Sequence, residues 1–487
     1  MHIRRIMQCT GRWAAGLLVA TVAVRASAAD YDIAAFYWPA YHSEARWDEL
    51  AGWTDGIGEW EIIRDARPRF DGHEQPNVPL WGYEDESDPR VMERKIDAAA
   101  DHGVNVFIFD WYWYDNQPFL EGALNDGFLQ ARNNDRIKFY LMWANHDATT
   151  LWNLEKSHMA GRVIWPGSVD RPTFDTVADR VIERYMTHPS YYTIDGKPVF
   201  SIYELGTLIR GLGGVEQTKA ALDSFREKVV AAGFPGLHIQ AILWSKIPAS
   251  AALVPGDRSN TQDNTIQTLG IDSLTNYQWV HYVHAQGSYI DWGKRAVARW
   301  NPWADEFSVP FFPHVSVGWD TNPRYKTFQR NTVVNRSPEA FADFLRLAKA
   351  YVDERPEQPP LITVNAWNEW CEGSTLEPCE RYGMGFLEAV RKVFIDEVAA
   401  DRRAAAEPPP QVEIVKAVYG DLPGGGSVDV TEKVRELARA GARVIRVDND
   451  TFGDPATGRL KELRVEYTRN GEPTSAQTLE GGMLRLW

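Results

Sequence analysis

The sequence predicts an α/β chain: a (β/α)8 barrel of the TIM type, followed by a small β-rich C-terminal domain. Three observations predict it. Eight short apolar runs alternate with helical stretches between residues 32 and 400. Most of these runs are continuously apolar rather than alternating, as strands buried on both faces of a parallel sheet must be. After residue 404 the pattern changes to shorter strands separated by dense turn signals. An open doubly wound sheet is the alternative. The barrel is preferred because no Gly-rich phosphate loop follows the first run.

The chain opens with Arg4, Arg5 and Arg12 around an apolar stretch, Trp13 to Val24, and a small-residue site, Ala26-Ser27-Ala28. That stretch is shorter than the ~20 residues a membrane-spanning helix needs. Residues 1–29 therefore read as a cleaved signal peptide. The expected address is secreted or periplasmic, with no stable membrane insertion after cleavage. The apolar runs of the barrel, residues 30–403, are Asp32–Trp38, Val104–Asp110, Lys138–Trp143, Pro198–Tyr203, His238–Trp244, Ser273–Tyr277, Pro310–Val315 and Leu361–Ala366. Asp88-Pro89 and Ser337-Pro338 each pair a capping residue with a proline, which starts a helix. Helices are expected from there to Gly103 and to about Glu354, and over 173–188, 215–233 and 385–400. Residues 404–411 (AAAEPPPQ) form a Pro-rich linker. In 412–487, strands are expected at Val412–Tyr419, Ala442–Val447, Glu462–Thr468 and Met483–Trp487, with a short helix over 430–440 and turns at Asn449-Asp450 and Asn470-Gly471.

Composition narrows the function. The 487 residues are 44% hydrophobic and 24% charged, with 20 Trp, 19 Tyr and 20 Phe. That excludes a disordered or multi-span membrane chain. A net charge of −15 disfavours phosphate backbones, so no nucleic-acid partner is expected. Oligomeric state is silent. After the signal only Cys371 and Cys379 remain, so there is no disulfide framework, and the sequence leaves open whether this pair is bridged.

In a parallel barrel, chemistry sits where the strands end. Those ends deliver Tyr37, Trp38 and His42, then Glu59 and Trp60; Asp110, Tyr112 and Trp113; Trp143, Asn145 and His146; Tyr203; Trp244; Tyr277; Trp319, Asp320 and Arg324; and Asn368, Glu369, Trp370 and Glu372. Nearly every end supplies an aromatic ring and a hydrogen-bonding group. Sugars need that pairing, because their C–H faces stack on rings and their hydroxyls seek carboxylates, amides and imidazoles. Glu369 and Glu372 are the candidate catalytic pair and the others are candidate substrate contacts. Glycoside hydrolysis commonly uses two flanking carboxylates. Three residues apart, they would lie roughly 10 Å apart in an extended chain. In a helical turn their Cβ atoms would be about 5–6 Å apart. No HExxH or Cys/His cluster appears, and no cofactor or metal is expected. Asp448-Asn449-Asp450 resembles the start of a calcium loop, but Arg459 stands at position 12 instead of Glu.

The segments FYWPAYH (36–42), GEW (58–60), RPRFDGHEQPNVPL (67–80), DWYW (110–113), WAN (143–145), GWDTNPR (318–324), AWNEWCEGSTLEP (366–378) and RYGMGFLEAV (381–390) resemble the WbsX-like proteins. The fold of those proteins is similar to glycoside hydrolase family 99. The resemblance spans about residues 30–400 and implies a (β/α)8 barrel. WbsX-like proteins have often been labelled glycosyltransferases, whereas family 99 comprises retaining endo-α-mannosidases. Carried onto this sequence, the resemblance implies Glu372 as general acid/base. Glu369 would assist the sugar 2-hydroxyl through an anhydro-sugar intermediate. Two departures stand out: His146-Asp147-Ala148 replaces the Glu-Asn-Trp that often follows WAN, and Asp110-Trp111 replaces aromatics such as Tyr. Both bear on the substrate more than on the reaction. The C-terminal segment resembles a small β domain appended to secreted hydrolases. The expected activity is a secreted, retaining glycoside hydrolase acting on a poly- or oligosaccharide, an α-mannoside-like linkage among the candidates. A glycosyltransferase of surface polysaccharide synthesis and a non-catalytic carbohydrate-binding protein are the alternatives.

Overall fold

The computed structural model describes residues 31–159, 161–248, 261–406, 410–422 and 424–487. The expected signal peptide lies outside these residues. Eight parallel strands form the barrel wall: β1 (Asp32–Tyr37), β2 (Val106–Tyr114), β3 (Lys138–Trp143), β4 (Lys197–Ile202), β5 (His238–Ile242), β6 (Ser273–Thr275), β7 (His314–Ser316) and β8 (Leu361–Asn365). Consecutive strands are neighbours from β1 to β6, and β8 lies between β7 and β1. The ring closes between β6 and the residues leading into β7. There Leu274 pairs with Phe311 in parallel, and its N–H donates to the Pro310 carbonyl at 2.9 Å. The seventh apolar run therefore reaches the wall four residues before its strand begins.

The continuous apolar runs are buried along nearly their whole length, as two-sided cover requires. Alternation survives within β2. Phe107, Phe109 and Trp111 face the helical layer, where Phe109 meets Phe128 and Trp111 meets Trp143. Asp110 and Tyr112 face the axis. Capping residues start the helices as the sequence indicates. Asp88, Asp170 and Ser337 accept from the N–H of Arg90, Thr173 and Ala340 and begin Pro89–Asp101, Arg171–Val181 and Pro338–Asp353. Helices also occupy Ala45–Ala51, Trp60–Arg64, Leu205–Leu212, Tyr289–Val297 and Trp300–Glu306, beyond those the sequence pattern predicts.

The helix Glu397–Ala406 runs through the first three residues of the segment read as a linker, and 407–409 lie outside the described residues. Beyond it, β9 (Val412–Gly420), β10 (Ser427–Asp429), β12 (Glu462–Arg469) and β13 (Glu472–Leu479) form an antiparallel sheet in the order β10-β9-β12-β13. Two short strands, β11 (Val444–Arg446) and β14 (Met483–Arg485), pair beside it. The sheet has its own apolar cluster, including Tyr419, Val434, Val465 and Trp487. Two expectations need correction here. The strand β13 was not foreseen, because EPTSAQTL lacks an apolar face. Asn449-Asp450 opens a short helix, Asn449–Phe452, rather than a turn, since Asp448 caps it through the Thr451 N–H.

Candidate active site

The end of β8 turns sharply. Asn368–Glu369 pairs with Ser374–Thr375, and Trp370–Glu372 makes one tight helical turn between them. Gly373 ends that turn at φ 64, and a Cβ there would sit 3.0 Å from the Asp320 side chain. The turn is therefore the compact alternative, and it brings Glu369 and Glu372 to one cation. Arg324 Nη2 lies 3.8 Å from Glu369 Oε2, and Arg324 Nη1 lies 3.7 Å from Glu372 Oε1. The same guanidinium is 3.4 Å from Glu59 and 5.6 Å over the ring of Trp38. It also donates twice to the sulfur of Cys371, at 2.9 and 2.7 Å, while the thiol faces Glu59 Oε2 at 3.2 Å. Cys371 and Cys379 are both buried and unbridged, which answers the question the sequence left open.

On the opposite wall, the Tyr277 hydroxyl lies between Asp110 Oδ2 at 2.8 Å and Glu369 Oε1 at 2.5 Å. Tyr112 crosses Trp38 edge-on at 5.7 Å and meets His146 edge-on at 5.8 Å. Tyr203 meets Tyr277 edge-on at 5.1 Å. Trp244 lies flat against His281, 3.9 Å apart at 4°. Most of these rings are buried, and they pack against Tyr277 and one another beside the acid pair.

Burial dominates the electrostatics. It raises Glu369 well above the usual carboxylate range, with Glu372 and Asp110 adding to the push and Arg324 opposing it. Glu372 is raised by burial, lowered by Arg324 and raised by Glu59. Its side chain is 15% exposed against 4% for Glu369. The roles that the resemblance implies require a charged Glu369 beside a protonated Glu372. Burial and two acidic neighbours work against that division, so Glu369 needs help to stay charged. Burial holds His281 down to about 3, so it stands neutral.

Several candidate contacts are placed elsewhere. Tyr37 packs on Phe107 and Phe109, Trp143 on Phe174, and Trp113 on Trp111, all facing the helical layer. Trp60 stacks on Tyr41 at 4.0 Å and leans on Trp370, whose indole donates to Glu377. Those two rings brace the turn from below. His42 lies against Gly122, outside the acid cluster. Asn145 ties the ends of two strands together by exchanging hydrogen bonds with the backbone of Glu204, at 2.9 and 2.8 Å. Asp320 accepts from Gln75 and Asn322 and meets His73, and its N–H donates to the Glu372 carbonyl at 2.6 Å. It supports the turn from behind, and Trp319 flanks it. The sequence reading missed His281, the Cys371 thiol and the His73–Gln75 support. The polar run GHEQPN within 67–80 was the available signal for the last.

No group of three or more His, Cys, Asp or Glu suited to a metal occurs among the described residues. Among them, no helix is long and apolar enough to cross a membrane. The family model described as "Glycosyltransferase WbsX" matches residues 33–390. "Uncharacterized protein WxcX" of Xanthomonas campestris pv. campestris is 26% identical over 378 residues, covering 74% of this chain and 49% of its own. The chain thus spans about half the length of the curated relatives it matches. The GH99 endo-alpha-mannosidase from Bacteroides thetaiotaomicron aligns with TM-score 0.48 and 16% identity, over 77% of this chain and 100% of its own. A structure described as "Glycoside hydrolase-like protein" aligns with TM-score 0.47 and 16% identity, over 75% and 94%.

Proposed function

The chain belongs to the WbsX glycosyltransferase family, and from that premise we propose that it is an exported enzyme that cleaves a glycosidic bond with retention. The observation that carries the reading is Glu369 and Glu372 gathered on the Arg324 guanidinium at the end of β8, inside a ring of aromatic side chains. In the first step, Glu372 gives its proton to the leaving-group oxygen. Glu369 takes the proton of the sugar 2-hydroxyl, whose oxygen attacks C1 and displaces the leaving group. In the second step, Glu372 takes a proton from water as that water opens the anhydro sugar at C1, and Glu369 returns its proton to O2. Two inversions give net retention. Trp244, half-buried with one face covered by His281, keeps its other face for sugar C–H groups, and the buried rings of Tyr112 and Tyr203 back the site. An α-mannoside-like linkage is the first candidate, in line with the sequence resemblance. Export rests on the leader pattern of residues 1–29, and the C-terminal sheet is proposed as an accessory domain.

The family description favours a second reading, transfer from a nucleotide sugar. The site opposes it electrostatically. Glu59, Glu369 and Glu372 gather on Arg324, three acids to one cation, and such a cluster repels a diphosphate.

The test is reducing-sugar release from a panel of poly- and oligosaccharides, with Glu372→Gln run beside the wild type. Release by the wild type, reduced by about 10²–10⁴ in the variant, supports the hydrolase. Full activity in Glu372→Gln sinks this mechanism. Binding without turnover anywhere on the panel moves the chain to a carbohydrate-binding role, and donor-dependent transfer restores the second reading.

A further inference from the structure

Asp110, Tyr277 and Glu369 form a buried chain of three oxygens, with the phenol 2.8 Å from one carboxyl and 2.5 Å from the other. A phenol carries a single hydrogen. It cannot donate to two ionised carboxylates, so both contacts are hydrogen bonds only if the three groups hold a second proton. One of the two carboxyls is then neutral.

The surroundings decide which. Arg324 stands 3.8 Å from the other oxygen of Glu369. Among the described residues, no cation stands within ion-pair distance of Asp110. Its Oδ1 is buried without a hydrogen-bond partner, and the residue is 2% exposed. Glu372, Glu369, Tyr112 and Tyr203 face this corner, and none of them brings a positive charge. Ionised, Asp110 would bury a full charge with one oxygen bare and no cation to offset it. Neutral, it needs only an acceptor for its O–H, and the Tyr277 oxygen supplies one.

We propose that Asp110 is a permanently protonated positioning residue: its carboxyl donates to the Tyr277 oxygen, which turns the single Tyr277 hydrogen toward Glu369 and stabilises Glu369 as a carboxylate. No bond breaks and no proton moves in this arrangement. Its consequence rests on the proposed role of Glu369 as the base facing the sugar 2-hydroxyl. A neutral Asp110 removes one of the two acids that push Glu369 up, leaving Tyr277 and Arg324 to hold its charge.

Infrared difference spectroscopy of the full chain at neutral pH tests the proposal without any substrate. A failed activity screen therefore leaves it intact, and its failure leaves the hydrolase reading intact. Asp110→Asn is expected to lose a protonated-carboxyl C=O band, and Glu369→Gln is expected to lose a carboxylate band. The reverse pattern overturns the proposal, as does an Asp110→Asn spectrum with no acid band lost. Should that variant not fold, carboxyl-13C aspartate in the wild type gives the same answer. An acid band must shift with labelled Asp. Acid bands that shift only with labelled Glu overturn the assignment.

Discussion

Asn368 holds Trp38 by both of its backbone groups: Asn368 Oδ1 accepts the Trp38 N–H, and Asn368 Nδ2 donates to the Trp38 carbonyl, each at 2.8 Å. The same amide donates to Glu86 at 2.9 Å. The residue before Glu369 thereby stitches the end of β8 to the end of β1. Asn368→Ala leaves two buried backbone groups and one carboxylate short of a partner. The expected loss is roughly 3 kcal/mol, at about 1–3 kcal/mol per orphaned group with partial relaxation. It appears as a lower urea midpoint at unchanged slope. An unmoved midpoint would show that the stitch contributes nothing.

Arg324 is the cation that Glu59, Glu369 and Glu372 share. Arg324→Met strands buried acids, and about 3–5 kcal/mol of stability is expected to go at neutral pH. The sign with pH follows from the acids. Without the guanidinium, Glu369 and Glu372 rise further above their unfolded values, so the folded state binds more protons than the unfolded one. Stability then falls as pH rises through that window. The variant should be closer to wild type at pH 5 than at pH 7 in chemical denaturation, and equal deficits at both would contradict the assignment.

The proposed mechanism also sets an activity profile. It needs Glu369 charged and Glu372 protonated, so activity is expected to fail below the first titration and above the second. Burial raises both groups, so the bell should lie above the ordinary carboxylate range of about 4.3. Glu372→Gln should erase the alkaline limb of whatever rate remains. A flat profile between about pH 4 and 8 would count against the pair.

The barrel was legible because its strands are continuously apolar and its helices carry cap-and-proline starts, signals that need no tertiary context. That Glu369 and Glu372 come together just past β8 was legible because an apolar run ends immediately before them. The direction of side chains was not. Trp143 and Trp113 sit at strand ends like Tyr112, yet they face the helices, because the strand alternates and the sequence does not mark which parity is inward. Long-range supports were equally hidden. His73 reaches Asp320 across 247 positions, and Lys95 pairs with both Glu86 and Glu377 from a helix. The helix Tyr289–Val297 escaped although Tyr289, Trp292, Gly293, Ala296 and Val297 keep helical spacing on its buried face, because a glycine in mid-helix weakens the helical signal.

Glu44 offers a pH test away from the cleft. Burial pushes it up to about 7, with the Leu120 N–H opposing through a 2.5 Å bond. An acid raised above its unfolded value stabilises the protein only while protonated. Wild-type stability from this group should decline as pH rises from about 4.5 to about 7. Glu44→Gln keeps the acceptor for Leu120 and cannot ionise, so its unfolding free energy should fall less steeply across that interval. Parallel curves for the two proteins would mean that Glu44 titrates as it does in the unfolded chain.

Trp244 separates binding from chemistry. Its indole donates to the Tyr203 carbonyl at 3.0 Å and one face is covered by His281. The ring has no hydrogen bond to Glu369 or Glu372, so it can act on a sugar only through contact, equally in the ground and transition states. Interactions of that kind change KM and leave kcat alone. An aromatic contact is worth about 1 kcal/mol, so Trp244→Ala should raise KM about fivefold on the substrate the screen identifies. Trp244→Phe should recover part of the loss. If kcat falls instead while KM holds, the ring matters through His281 and Tyr203, by fixing the wall on which Tyr277 and Glu369 meet. In that case Tyr203→Phe, which preserves the ring but not its hydroxyl 3.5 Å from His281 Nε2, should show the same loss.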